Sequence, residues 1–282
     1  MVKYFKMLGN VLLYLVIWFL CFKGVSLLFK LVSGTPFHSV LKFLNKQIGI
    51  QVILGFGIPI LIYMLIFKLK KENFFKFCRF KMMTLKDSLL VLLVTFAGVI
   101  FTSHLINTAF FLKYLPEFNQ YVVNAISKEN LFVIFFTGSI FFTTAEEIIF
   151  RGLVFNEMRK CLPLVVVLLT HTLFYMPFQP TTSIAIFAYT NFTVYALVFV
   201  FADSLWASIV FQALGAIGLY GFKMLGFDQL IRPLGDGYLI SVAIISLIVI
   251  LIGTFSMKKA PLKEIFSLTT RQSEMTNQDT SV

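Results

Sequence analysis

The stretch FFTTAEEIIFRGLVF, residues 141–155, decides how the rest of the chain is read. Two adjacent carboxylates, Glu146 and Glu147, and one guanidinium, Arg151, interrupt an apolar run. Ionisable groups at membrane depth are costly, so they signal function by default. In a helix, Glu147 and Arg151 stand at i and i+4, where opposite charges meet on one face. Glu146 is turned about 100° from Glu147, and its own i+4 position is Phe150. The pattern implies a division of labour in which Arg151 neutralises and orients Glu147 while Glu146 stays free for chemistry. A carboxylate left unpaired at low dielectric can act as a general base on water near neutral pH. A second reading stands beside the first. Glu147 and Arg151 form a helix-packing ion pair, Arg151 snorkels toward one end of the bundle, and Glu146 faces water there.

Composition supports membrane depth. Of the 282 residues, 59% are hydrophobic and 13% charged, with a mean hydropathy of +0.89. Soluble domains carry about 25% charged residues. The deficit, with several long apolar runs, implies an all-α polytopic membrane bundle, because a backbone in lipid must satisfy its own hydrogen bonds. About eight transmembrane helices are expected, at 8–31, 50–68, 88–112, 131–154, 162–178, 183–201, 204–225 and 238–256. Residues 1–257 would form one transmembrane domain, and the first span would be retained, since no small-residue cleavage pattern follows it. The polar stretch 258–282 lacks periodicity and is expected to be a disordered cytoplasmic tail.

The net charge of +11 does not imply nucleic acid, because the basic residues cluster in short loops beside apolar segments. Lys68, Lys70, Lys71, Lys76, Arg79, Lys81 and Lys86 fill the loop after the second span. Arg159 and Lys160 follow the fourth span, and Lys258 and Lys259 follow the eighth. Eight spans put all of these, with Lys3 and Lys6, on one side. The positive-inside rule makes that side cytoplasmic and the chain a multi-pass cell-membrane protein with both termini inside. The loop 68–86 interleaves Phe with Lys and is expected to lie on anionic lipid. Cys21, Cys78 and Cys161 form neither a disulfide framework nor a CxxC motif.

The segment EEIIFRG, Glu146 to Gly152, resembles the EExxxR signature of the CPBP family of intramembrane proteases. That family includes the CAAX prenyl-protein endopeptidases and the bacterial Abi and bacteriocin-immunity proteins. The resemblance covers roughly residues 130–225 and implies an all-helical bundle with spans four, five and seven around a polar cavity. By resemblance, Glu146 is the base and Glu147 and Arg151 are structural. The family's FxxxH motif fits LLTHTLFYMPF with Phe174 at its first position, which puts Phe178 at the histidine position. The nearest histidine, His171, is seven residues earlier, ~10.5 Å along a helix axis. The HxxxN motif fits DSLWASIVFQALGA with Gln212 and Ala216 at the two polar positions. Phe178 cannot polarise water and Ala216 cannot donate a hydrogen bond, although Gln212 keeps an amide donor. Losing a positioned acid or base costs roughly 10²–10⁴-fold, and losing one oxyanion donor ~10²–10³-fold.

These residues point to a catalytically impaired member that binds membrane proteins or peptides, modulating envelope processes or bacteriocin immunity. The alternative is an active CAAX-type endopeptidase using Glu146 as base, with His171 in place of the missing histidine. Phe174, Phe178 and Gln212 are the expected binding residues. No cofactor is expected, and Glu146, Glu147 and His171 offer at most three metal ligands without HExxH spacing. His104, inside the third span beside Asn107, is expected to be either a satisfied core histidine or a replacement ligand.

Overall fold

A computed structural model describes residues 2–257, so the tail 258–282, with Lys258 and Lys259, lies outside the described residues. Those residues form helices and no strand. The first span is α1, Val2–Leu31. The amphipathic α2, Pro36–Ile48, leads through Gly49 into α3, Ile50–Leu69. Gly49 has φ +67°, and a Cβ there would stand 2.7 Å from Thr137 Cγ2. After the basic loop comes α4, Leu85–Leu105, then α5, Pro116–Lys128. The long α6, Val133–Arg159, and the short α7, Leu164–Phe178, precede α8, Thr182–Ala202, α9, Leu205–Met224, and α10, Phe227–Ser256.

Seven of these helices are long and apolar enough to cross a membrane, and α7 is the shorter eighth. The fifth expected span is therefore not a full-length helix. Its α-helical part is Leu164–Thr170, followed by tight 3₁₀ turns at His171–Phe174 and Met176–Phe178. Proline at 177 suits the second turn, and a 3₁₀ turn rises more steeply per residue than an α turn.

Contacts fix the path of the chain. At one end, Asn10 Nδ2 donates to Glu157 Oε1 at 2.7 Å, and Asp203 accepts from Arg79 and Lys81 at 3.2 and 2.5 Å. At the other end, Asn130 donates to Lys46 O at 2.9 Å, and Lys223 donates to Asn119 Oδ1 at 2.6 Å. The Phe118 and Phe187 rings there stand 4.0 Å apart. The N-terminus, the basic loop, the end of α6 and the turn at Asp203 thus share one end of the bundle. Short as it is, α7 must carry the chain from that end toward the other before α8 returns.

The third span, expected to run to residue 112, stops at Leu105. Asn107 turns its side chain back to Ser103 O at 2.7 Å and across to Asp228 at 2.7 Å. Such local side-chain bonds compete with helix continuation. His104 is a satisfied core residue. Its Nδ1 lies 2.8 Å from Ile100 O, and its ring packs against Phe227 and Tyr238.

The core is built on α6. Of its apolar window, 56% is buried inside the protein, against 28% for α1 and α3. Gly152 permits this closeness, because a Cβ there would meet Cys78 Sγ at 3.0 Å. The helix also changes pitch. Wide turns with i→i+5 geometry cover Val133–Phe142 and Ile148–Phe155, with an ordinary α turn, Thr143–Glu147, between them. Wide turns are uncommon and are found disproportionately at functional sites.

Candidate active site

The two glutamates leave the α turn of α6 in different directions. Glu147 Oε1 lies 3.0 Å from Arg151 Nη1, and both side chains are fully buried. Arg151 Nη2 donates to Phe192 O of α8 at 3.0 Å, and its Cζ lies 3.9 Å from the centre of the Phe192 ring. The Tyr195 ring stands 5.4 Å from the same carbon. The guanidinium is thus held by a carboxylate, a carbonyl and two aromatic faces. The i, i+4 spacing read from the sequence meets as expected, and the pair sits in the packed interior with no snorkelling.

Glu146 faces a cavity of about 460 Å³. The sequence placed no partner on it, and here the structure differs. Tyr175 Oη donates to Glu146 Oε1 at 2.5 Å, and Gln212 Nε2 donates to Oε2 at 2.9 Å. Tyr175 comes from the turn after α7 and Gln212 from α9, so three elements meet at one carboxylate. The Tyr175 ring is stacked on Phe192 at 4.0 Å with a 13° interplanar angle and meets Phe150 edge-on at 4.9 Å. Phe192 therefore lies between Arg151 on one face and Tyr175 on the other.

The expected polar cavity is mainly apolar. Among the described residues, ten aromatic side chains line it, and its one carboxylate is Glu146. Phe178, Gln212 and Ala216 all stand on its wall, so the three positions singled out in the sequence converge on one space. Phe174 does not line it and packs against the core instead. The cavity reaches Phe118 and Tyr121 of α5, at the end opposite the basic loop.

His171 has the role of replacement histidine only in the alternative reading. It is fully buried, with Nδ1 2.8 Å from Val167 O and 3.1 Å from Leu168 O. Its ring meets Phe155 edge-on at 5.3 Å. It makes no hydrogen bond to Glu146, whose two donors are Tyr175 and Gln212. The break after Thr170 turns the imidazole back onto its own helix. Sequence reasoning missed Tyr175. The available signal was a hydroxyl inside an apolar run, since a buried Tyr O–H requires a partner. Among the described residues no grouping of three or more His, Cys, Asp or Glu could hold a metal ion.

Comparison with known proteins agrees with this geometry. Residues 128–217, about a third of the chain, match the family model described as type II CAAX prenyl endopeptidase, Rce1-like. The matched segment contains α6, α7, α8 and most of α9, which supply most of the residues lining the cavity. The match places a segment similar to the Rce1-like endopeptidases within a bundle of seven helices long and apolar enough to cross a membrane. No curated protein and no solved structure matches it.

Proposed function

We propose that this protein uses the Glu146 cavity to bind apolar peptide or amphiphile segments in the membrane, and so modulates other membrane proteins without cutting them. The observation that carries this reading is the state of Glu146. Neutral donors cap both of its oxygens, and the nearest histidine in sequence is committed to backbone carbonyls. A general base must reach the proton of its water. Here Tyr175 and Gln212 occupy the directions from which an activating imidazole would act. The basic end is assigned to the cytoplasm on its Lys and Arg content, which a reporter fused at residue 75 checks.

The alternative, an endopeptidase with Glu146 as base, draws support from the place of that carboxylate on the cavity wall, with Tyr175 as a substitute proton donor. Incubating the purified full-length protein with a fluorogenic prenylated peptide separates the two. No turnover is expected, whereas a change that fills the cavity, Ala216→Trp, should abolish the cellular phenotype at normal protein levels. Cleavage that disappears in Glu146→Gln would overturn the binding reading. Envelope processes and bacteriocin immunity are the settings in which to look for that phenotype.

A further inference from the structure

The charge and hydrogen-bonding inventory of the cavity wall specifies its ligand more narrowly. The inference rests on the cavity-binding reading above. Glu146 contributes a carboxylate, which only accepts hydrogen bonds when ionised. Its present donors are a phenol and an amide, both neutral, so neither cancels its charge. Among the described residues, no Lys, Arg or His lines the cavity. Arg151 lies against the Phe192 and Tyr195 rings and is engaged with Glu147. Counted formally, Glu146, Glu147 and Arg151 leave one negative charge, and the member of the trio on the wall is Glu146.

A second observation points the same way. Gln212 is on the wall and only 7% exposed. Its Nε2 is bound to Glu146, which turns Oε1 the other way, and that oxygen is buried without a hydrogen-bond partner. A buried acceptor without a donor is destabilising and is satisfied by anything that brings an N–H or O–H to it. Aromatic side chains line the same cavity, among them Tyr121, Tyr195, Phe211 and Tyr220. Aromatic faces attract cations placed over them, more strongly where water is excluded.

We propose that the cavity is a binding site for an apolar ligand carrying one protonated amine, with the Glu146 carboxylate as its counter-charge and Gln212 Oε1 as a further acceptor. A volume of about 460 Å³ accommodates an aromatic or branched aliphatic body behind that amine; ligand sites commonly span about 300–1,000 Å³. A ligand arriving with a carboxylate would meet like charge and no compensating cation, so a free peptide C-terminus is disfavoured beside Glu146. The amine can come from a peptide, as a lysine or a free N-terminus, or from an aminolipid headgroup. All three present the same N–H donors.

The test is calorimetric titration of the full-length protein in nanodiscs with 4-phenylbutylammonium and its neutral isostere pentylbenzene. The amine should bind at least about tenfold tighter, which corresponds to about 1.4 kcal/mol. Glu146→Gln should reduce that preference to near unity. Equal affinities in the wild-type protein overturn the amine inference while leaving the cavity a binding site. If neither probe binds, both this inference and the binding reading fall. The wild-type comparison stands alone if the variant does not fold. Tetraleucine amide with a free N-terminus, set against lysophosphatidylethanolamine, assigns the source. Tighter binding of the former identifies peptide amines as the ligand, and of the latter, lipid amines.

Discussion

Glu146 and Glu147 are neighbours in the chain and both almost wholly buried, at 1% and 0% exposure. Glu147 meets a full opposite charge at 3.0 Å and is sealed inside packed helices. Glu146 meets two neutral donors and looks into open volume. The difference teaches that burial alone does not define a carboxylate's role. A sealed charge with a charged partner holds helices in place. A charge held by neutral groups on a wall is available to whatever enters. Phe192 joins the two, with Arg151 on one face and Tyr175 on the other.

The comparison breaks first at its sealed half. Glu147→Ala leaves Arg151 buried without its counter-charge, a loss of about 3–5 kcal/mol. Thermal unfolding in detergent and the folded amount in membranes should both fall sharply. A near wild-type midpoint would mean that the carbonyl and the aromatic faces suffice for Arg151.

The next effect in size belongs to His171. Truncation to Ala removes a fully buried ring and its bond to Val167 O. The expected cost is roughly 2–4 kcal/mol, from the cavity left behind and the lost hydrogen bond. Activity per folded molecule should not change. A folded His171→Ala protein that has lost its cellular function would return this residue to the site.

The smallest effect sharpens the open half. Tyr175→Phe keeps the stack on Phe192 and removes the donor to Glu146. Stability should fall by roughly 1–2 kcal/mol, well below the Glu147→Ala loss. A drop equal to that of Glu147→Ala would erase the distinction between the two glutamates.

The bundle and the ion pair were legible because each rests on a local rule. Apolar runs of spanning length are visible in one dimension, and Glu147 to Arg151 is a four-residue interval. The partners of Glu146 were not legible, because Tyr175 and Gln212 lie 29 and 66 residues away. A regular helix through 162–178 would have aimed His171 and Phe178 at one face. The 3₁₀ turns after Thr170 change the angle per residue, so Tyr175 takes the place facing Glu146. Position 178 still reaches the wall and His171 does not. The end of α4 failed for a similar reason, since the partner that turns Asn107, Asp228, comes 121 residues later.

The attachment of Arg151 to α8 has a consequence for biogenesis. Its carbonyl partner, Phe192, is 41 residues further along the chain. At about 5–20 residues per second, roughly 2–8 s separate their synthesis. During that interval the middle of α6 carries Glu146, Glu147 and Arg151 with only the Glu147–Arg151 contact to offset their charge. Its mean hydropathy is 1.5, against 2.7 for α10, and central charges disfavour partition from the translocon by about 2.5–3.5 kcal/mol each. Insertion of α6 is therefore completed late. The helix must wait at a protected boundary, with α1 and α3 already laid down beside it, until α8 emerges to close over the charge.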